Sequence, residues 1–256
     1  MRRTRSSAHG GRHELGQNFL QHRPTIDRMV RLVAATDGPI LEIGCGDGAL
    51  TRPLARLGRD LLAIDIDEHR VAGLRRTLPH VRVRRDDVMR VRLDRPVIVS
   101  NVPFHLTTPI LRRLLSAPRW RDAVLLTQWE VARKRAGVGG RTMLTAQTAP
   151  WFTFALHGRV PAQAFRPVPS VDGGILTINR RQTPLIAPAD RASYQRFVRA
   201  VFTGRGRGMA QILAAATGQS ARRSHRALSD VGVRPAALPR DLDPHQWAAL
   251  WRMTRP

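Results

Sequence analysis

The chain has 256 residues, enough to bury one full core with a remainder for a small second domain, and it carries a formal net charge of +24, with 43 Lys plus Arg against 19 Asp plus Glu. That excess costs self-repulsion on a compact body unless a polyanion offsets it, so nucleic acid is the expected partner; no segment reads as the basic amphipathic helix that an anionic membrane surface would require. The apolar stretches are too short and too interrupted to span a bilayer, and Met1 to His13 has no apolar core for export, so a cytoplasmic protein is expected. The single cysteine, Cys45, excludes an internal disulfide and a structural zinc site, and no metal is expected. All the basic residues but Lys134 are arginine, whose guanidinium pairs bidentately with phosphate and stacks on unpaired bases.

In chain order, residues 1–13 hold Arg2, Arg3, Arg5 and Arg12 among Ser, Gly and His, and read as a flexible basic arm. Ile26, Met29, Val30 and Val33 recur at helical spacing after Pro24, with Thr25 placed to cap the helix. Pro39 to Ile43 reads as a strand running into a glycine loop, Glu42-Ile43-Gly44-Cys45-Gly46-Asp47-Gly48, and Leu50, Leu54 and Leu57 mark the helix beyond it. Leu61 to Ile64 is a second strand, ending at Asp65; Val71, Leu74 and Leu78 lie on the next helix. Val81 and Val83 form a short third strand before Asp86-Asp87. Val97 to Ser100 is the fourth strand, with a helix opened by Thr108 and Pro109, and Ala123 to Leu126 is the fifth. Alternating strand and helix predicts a parallel sheet covered on both faces, with ligands at the carboxyl ends of the strands. Trp151 to Val160 and Gly174 to Ile178 then read as an antiparallel edge. After the Pro-containing linker from Gln182 to Pro188, four helical segments follow: Tyr194 to Phe202, Met209 to Ala216, Ala221 to Val231 and Pro244 to Met253. The expected organisation is an arm at 1–13, a ligand-binding α/β domain at 14–181 and a small all-α domain at 182–256.

The glycine loop and Asp65, 21 residues after Gly44, satisfy the demands of a nicotinamide dinucleotide site as well as those of S-adenosylmethionine, because both ligands present a ribose diol. Glu42 and Asp87 add carboxylates that suit a sulfonium cation and repel a pyrophosphate. Cys45, with no base nearby in sequence, reads as small filler. Asn101-Val102-Pro103-Phe104 follows the fourth strand. An exocyclic amine on a purine is a poor nucleophile because its lone pair is delocalised into the ring. The Asn101 side-chain oxygen and the Val102 carbonyl can each accept one of its hydrogens, Pro103 fixes the backbone between them, and Phe104 offers a face on which the base can stack.

Gln17-Asn18-Phe19-Leu20, the glycine loop, Asp65, Asp87, Asn101 to Thr108 and Phe165-Arg166-Pro167-Val168-Pro169-Ser170-Val171-Asp172, in this order and spacing, resemble the ribosomal RNA adenine dimethyltransferases over residues from about 12 to the end. Within that group the chain looks like the Erm branch, and its arginine-rich arm and tail look most like actinobacterial members. The resemblance implies a class I (Rossmann-like) α/β methyltransferase sheet with an antiparallel edge strand and a C-terminal all-α RNA-binding domain. It implies methyl transfer from S-adenosyl-L-methionine to N6 of one adenine of 23S ribosomal RNA, protein-free or nascent, by a monomer, giving resistance to macrolides, lincosamides and streptogramin B. Asn18 and Leu20 would contact the methionine part of the donor, Gly44 and Gly46 would line its path, Asp65 would take the ribose hydroxyls and Asp87 the adenine amine. Asn101 would border both donor and target amine, and Phe104 and Phe165 would close on the target base. Asp65 stands where Glu is commoner, and Gly173-Gly174 where many relatives have Ser-Ser. The sister branch acting on small-subunit RNA usually carries Tyr-Asn after the proline, where this chain has Phe104-His105.

Overall fold

The computed structural model describes residues 18–255, so the expected basic arm and Gln17 lie outside the described residues. Five strands, β2 (Ile40–Ile43), β3 (Leu61–Asp65), β4 (Arg82–Arg85), β5 (Val97–Asn101) and β6 (Asp122–Gln128), are mutually parallel. Two more, β7 (Phe152–Val160) and β9 (Gly173–Arg180), complete a seven-stranded sheet in the order β4-β3-β2-β5-β6-β9-β7. Strand β9 is antiparallel to both neighbours, so it alone runs against the sheet, and the edge strand β7 beyond it points the same way as the five parallel strands. A separate two-stranded ribbon joins β1 (Phe19–Leu20) to β8 (Phe165–Arg166).

Every residue of β2 and the first four of β5 are buried, as expected for parallel strands covered on both faces. Their side chains alternate between two cores. Leu41, Ile43 and Ile98 join one, and Ile40, Val97 and Val99 join the other. The second core is closed by α1 (Arg23–Ala34) through Met29 and Val33 and by α3 (Glu68–Thr77) through Val71 and Leu74. The start of α1 differs from the sequence expectation: His22 occupies the N-cap, and Thr25 lies inside the helix with its hydroxyl 2.8 Å from His22 Nδ1.

The first core continues into the carboxyl-terminal helices α7 (Arg191–Thr203), α8 (Met209–Thr217), α9 (Ala221–Asp230) and α10 (Pro244–Thr254). The join is aromatic. Trp151 meets Tyr194 edge-on at 5.6 Å, Tyr194 meets Trp251 at 6.0 Å, and Phe202 stacks on Trp247 at 5.6 Å. The Tyr194 hydroxyl donates to the Ala146 carbonyl at 2.8 Å. The helical segment therefore shares its core with one face of the sheet. No helix among the described residues is long and apolar enough to cross a membrane.

Two helices escaped the sequence pattern, α5 (Trp129–Arg135) and α6 (Met143–Thr148). Helix α5 packs on β9 where the chain carries Gly173 and Gly174. A Cβ at Gly174 would stand 2.8 Å from the Ala132 Cβ, and one at Gly173 would stand 3.1 Å from Phe165 Cζ. The space that a serine pair would fill is taken here by Ala132 and Phe165. Gly174→Ser is accordingly expected to destabilise the fold by about 1–3 kcal/mol, read as a lowered melting temperature.

Candidate active site at the carboxyl ends of the strands

From β2 the chain moves outward through β3 and β4, then returns to β5 on the other side of β2, so the strand order reverses between β2 and β5. That crevice is where a doubly wound sheet presents loops to a ligand, and the glycine loop follows β2 directly. Gly44, Gly46 and Gly48 have φ of 71°, 49° and 85°, a region that L side chains rarely enter. The loop curls over β3: the amides of Gly44 and Cys45 both donate to the Ile64 carbonyl, at 2.8 and 3.0 Å. The Gly46 amide donates to Asp65 Oδ2 at 2.8 Å, and the Asp67 amide to Asp65 Oδ1 at 3.0 Å. Both Asp65 oxygens are thus fixed by the backbone, and each keeps a second lone pair for a ligand hydroxyl.

A cavity opens beside this loop. Its walls include Asn18, Leu20, Gly44, Gly46, Asp65, Asp87 and Asn101, all singled out from the sequence as donor-binding residues. Ile66 and Val88, each directly after a loop carboxylate, add apolar surface. Among the described residues, five carboxylates line the cavity, Glu42, Asp47, Asp65, Asp86 and Asp87, and no Arg, Lys or His does. In a chain of charge +24 that local reversal of sign is specific, and it favours a cationic ligand over a pyrophosphate.

Glu42 is 1% exposed and its Oε2 has no hydrogen-bond partner. Burial pushes its carboxyl up to about 8; Thr51 opposes the rise and the Asp65 charge adds to it. Such an orphaned buried carboxyl awaits a donor or a cation from the cavity. The Cys45 thiol is driven upward by burial first, then by the charges of Glu42 and Asp65, which leaves it a neutral filler rather than a nucleophile.

Asn101 ends β5 at the cavity's rim. Its Nδ2 donates to the Asn18 carbonyl at 2.8 Å, which fixes which way the amide faces and leaves Oδ1 without that partner. Val102 is buried and its amide donates to the Leu126 carbonyl at 2.9 Å, so the backbone after Asn101 is tied to β6. Phe104 opens a single 3-10 turn whose carbonyl accepts from the Thr107 hydroxyl at 3.0 Å, and Thr107 in turn accepts from Thr127 at 3.1 Å. Val102, Phe104 and Phe165 are not among the cavity's walls; Val102 and Phe104 continue the chain beyond Asn101. Phe104 keeps exposed surface. Phe165 has none, and it meets Phe104 edge-on at 5.8 Å with the rings 70° apart. In this arrangement Phe165 supports Phe104 from behind instead of offering a free face of its own. His105 is exposed.

A seven-stranded sheet with an acidic cavity at its reversal point and an amide at the rim defines a class I methyltransferase. Residues 8–253 match the model of the ribosomal RNA adenine dimethylase family, and the chain belongs to that family. It is 55% identical over 212 residues to an rRNA adenine N-6-methyltransferase of Corynebacterium diphtheriae, covering 81% of this chain and 84% of that one. It is 50% identical over 251 residues to the mycinamicin-resistance protein MyrB of Micromonospora griseorubida, covering 96% and 80%. Among solved structures, the 23S rRNA methyltransferase ErmE superposes with a TM-score of 0.83 at 34% identity, over 93% of this chain and 99% of that one.

Proposed function

We propose that the protein transfers a methyl group from S-adenosylmethionine to N6 of a specific adenine in 23S ribosomal RNA, and thereby protects the ribosome from macrolide, lincosamide and streptogramin B antibiotics. The observation that carries the reading is the position of Asn101, on the wall of an acidic cavity and three residues before an accessible aromatic ring, with its amide orientation fixed by Asn18. The similarity to rRNA adenine N-6-methyltransferases, to a mycinamicin-resistance protein and to a 23S rRNA methyltransferase supports the substrate and the resistance.

When bound, S-adenosylmethionine supplies a methyl group activated by a sulfonium. Asp65 holds the ribose hydroxyls, Asp87 the adenine amine of the donor, Asn18 and Leu20 the methionine part, and Gly44 and Gly46 allow close approach. The unpaired Glu42 carboxyl and its four acidic companions fit a ligand with two cationic centres, which the nicotinamide reading leaves unexplained. On the other side of Asn101 the target adenine leaves its stack and lies on Phe104. Asn101 Oδ1 and the Val102 carbonyl take the two amine hydrogens, which turns the nitrogen lone pair out of the ring plane and toward the donor. The nitrogen loses its proton to water after attack, when it is strongly acidic, so no side-chain base is needed beside it.

The test is methyl transfer from labelled donor to protein-free 23S RNA, with the modified nucleotide located by primer extension. A single modified adenine is expected; label in small-subunit RNA only would move the protein to the sister branch, and no label in RNA would remove the reading. RNA affinity is expected to fall with salt at a log-log slope of about −0.7 to −0.9 per neutralised phosphate, measured by filter binding between 50 and 200 mM salt as a rough working range.

A further inference from the structure

The strap Asn18 to Gln21 crosses one wall of the cavity. Asn101 holds its start through the Asn18 carbonyl, and its end is held by the β1 pairing with β8 and by the Gln21 amide, which donates to the carbonyl of Ala164 just before β8 at 2.8 Å. Between those anchors lies Phe19, whose ring meets two other segments. Its edge approaches the glycine loop so closely that a Cβ at Gly46 would stand 3.2 Å from Phe19 Cε1. Over the ring lies the Arg70 guanidinium, with Cζ 4.0 Å from the centroid.

Arg70 comes from α3, whose docking on the sheet is carried by Val71 and Leu74. Its side chain is only 20% exposed, and it pairs both with Asp47 of the glycine loop and with Asp67 at the N-cap of α3, the latter at 3.3 Å. One guanidinium therefore joins the strap, the glycine loop and the turn after β3, three segments that meet at the cavity.

We infer that Arg70 is a positioning residue for the methyl donor: clamped by Asp47 and Asp67, it packs over Phe19 beside Gly46 and so holds the strap in place as a wall of the donor cavity. The inference rests on the reading of that cavity as the S-adenosylmethionine site. Without the clamp the strap must be ordered by the donor itself, and that cost falls on donor binding. Once the donor is bound the wall is rebuilt, so the chemical step is spared.

The experiment uses the full-length protein, with donor Kd from calorimetry and KM and kcat from methyl transfer to protein-free 23S RNA. Arg70→Met keeps the aliphatic stem and removes the charge; Phe19→Leu removes the ring. Each is expected to raise donor Kd and KM about tenfold while kcat at saturating donor stays within about threefold. Because both act through one contact, the double variant is expected to be no more than about twofold weaker than either single one. Arg70→Lys is expected to recover most of the loss, since an ammonium retains the ring contact and one ion pair. An unchanged donor Kd in Arg70→Met, a multiplicative loss near a hundredfold in the double variant, or a lowered melting temperature with KM unaltered would each overturn the inference. Failure of the unmodified protein to bind the donor would instead overturn the reading of the cavity.

Discussion

Asn101→Ala is expected to lower methyl transfer by about 100- to 1000-fold, the range found when one pre-aimed polar group is removed from a site where charge develops. The loss follows from geometry. Asn101 Nδ2 is committed to the Asn18 carbonyl, so Oδ1 is the atom left to hold an amine hydrogen, and alanine supplies neither. The fold should survive, because β5 is held by its ladders to β2 and β6 and by buried Val97 to Ser100. Circular dichroism and melting temperature check that point, and turnover checks the first; undiminished turnover refutes the amine clamp. Asn101→Asp separates the two halves of the side chain. It keeps an acceptor for the target amine but sets a carboxylate against the Asn18 carbonyl, so it is expected to weaken donor binding as well as turnover.

Glu42→Gln is expected to stabilise the donor-free protein at neutral pH while weakening donor binding about tenfold or more. The native carboxyl is pushed up to about 8 from a reference of 4.5, first by burial. Between those values the folded protein holds a proton that the unfolded chain has released, so stability falls as pH rises, and the full penalty is present above pH 8. At pH 7 the penalty relative to pH 4.5 is on the order of 3 kcal/mol. Glutamine does not titrate, so the melting-temperature difference between variant and parent should widen from pH 5 to pH 8, by about 5 °C or more. A constant difference across that range would show that Glu42 is already ionised in the empty site. Because a cationic ligand favours the charged carboxylate, donor binding to the parent protein at pH 7 is also expected to release protons. Calorimetry in buffers of different ionisation enthalpy reads that release directly, and Glu42→Gln should abolish it.

Local chemistry makes much of the site legible in the sequence. The glycines of the loop marked a close backbone approach, Asp65 the end of β3, and Asn101 the end of β5 at the cavity wall, because each depends on residues adjacent in the chain. Helices α5 and α6 left no such trace. They are short, α5 is crowded with Arg133, Lys134 and Arg135, and four glycine-rich positions between them, 137–140, hide any apolar period. The N-cap of α1 lies three residues before Thr25, the expected cap, for a related reason: a cap is recognised by one hydroxyl, and here that hydroxyl turns back to His22 from inside the helix.

Sequence by itself thus determined the alternation of strands and helices and the acidic and glycine-rich rim, and it raised the expectation of a polyanionic partner, since these follow from side-chain periodicity, backbone freedom and net charge. The tertiary structure alone decided the rest. Only the register of β1 on β8 shows that Phe165 is buried behind Phe104, only the Asn18 carbonyl fixes the face that Asn101 turns outward, and only the turn after β3 brings Arg70 over Phe19. The physical reason is the same in each case: a contact between residues 51 to 147 positions apart is set by how strands pair and helices dock, and no local pattern of residue types encodes it.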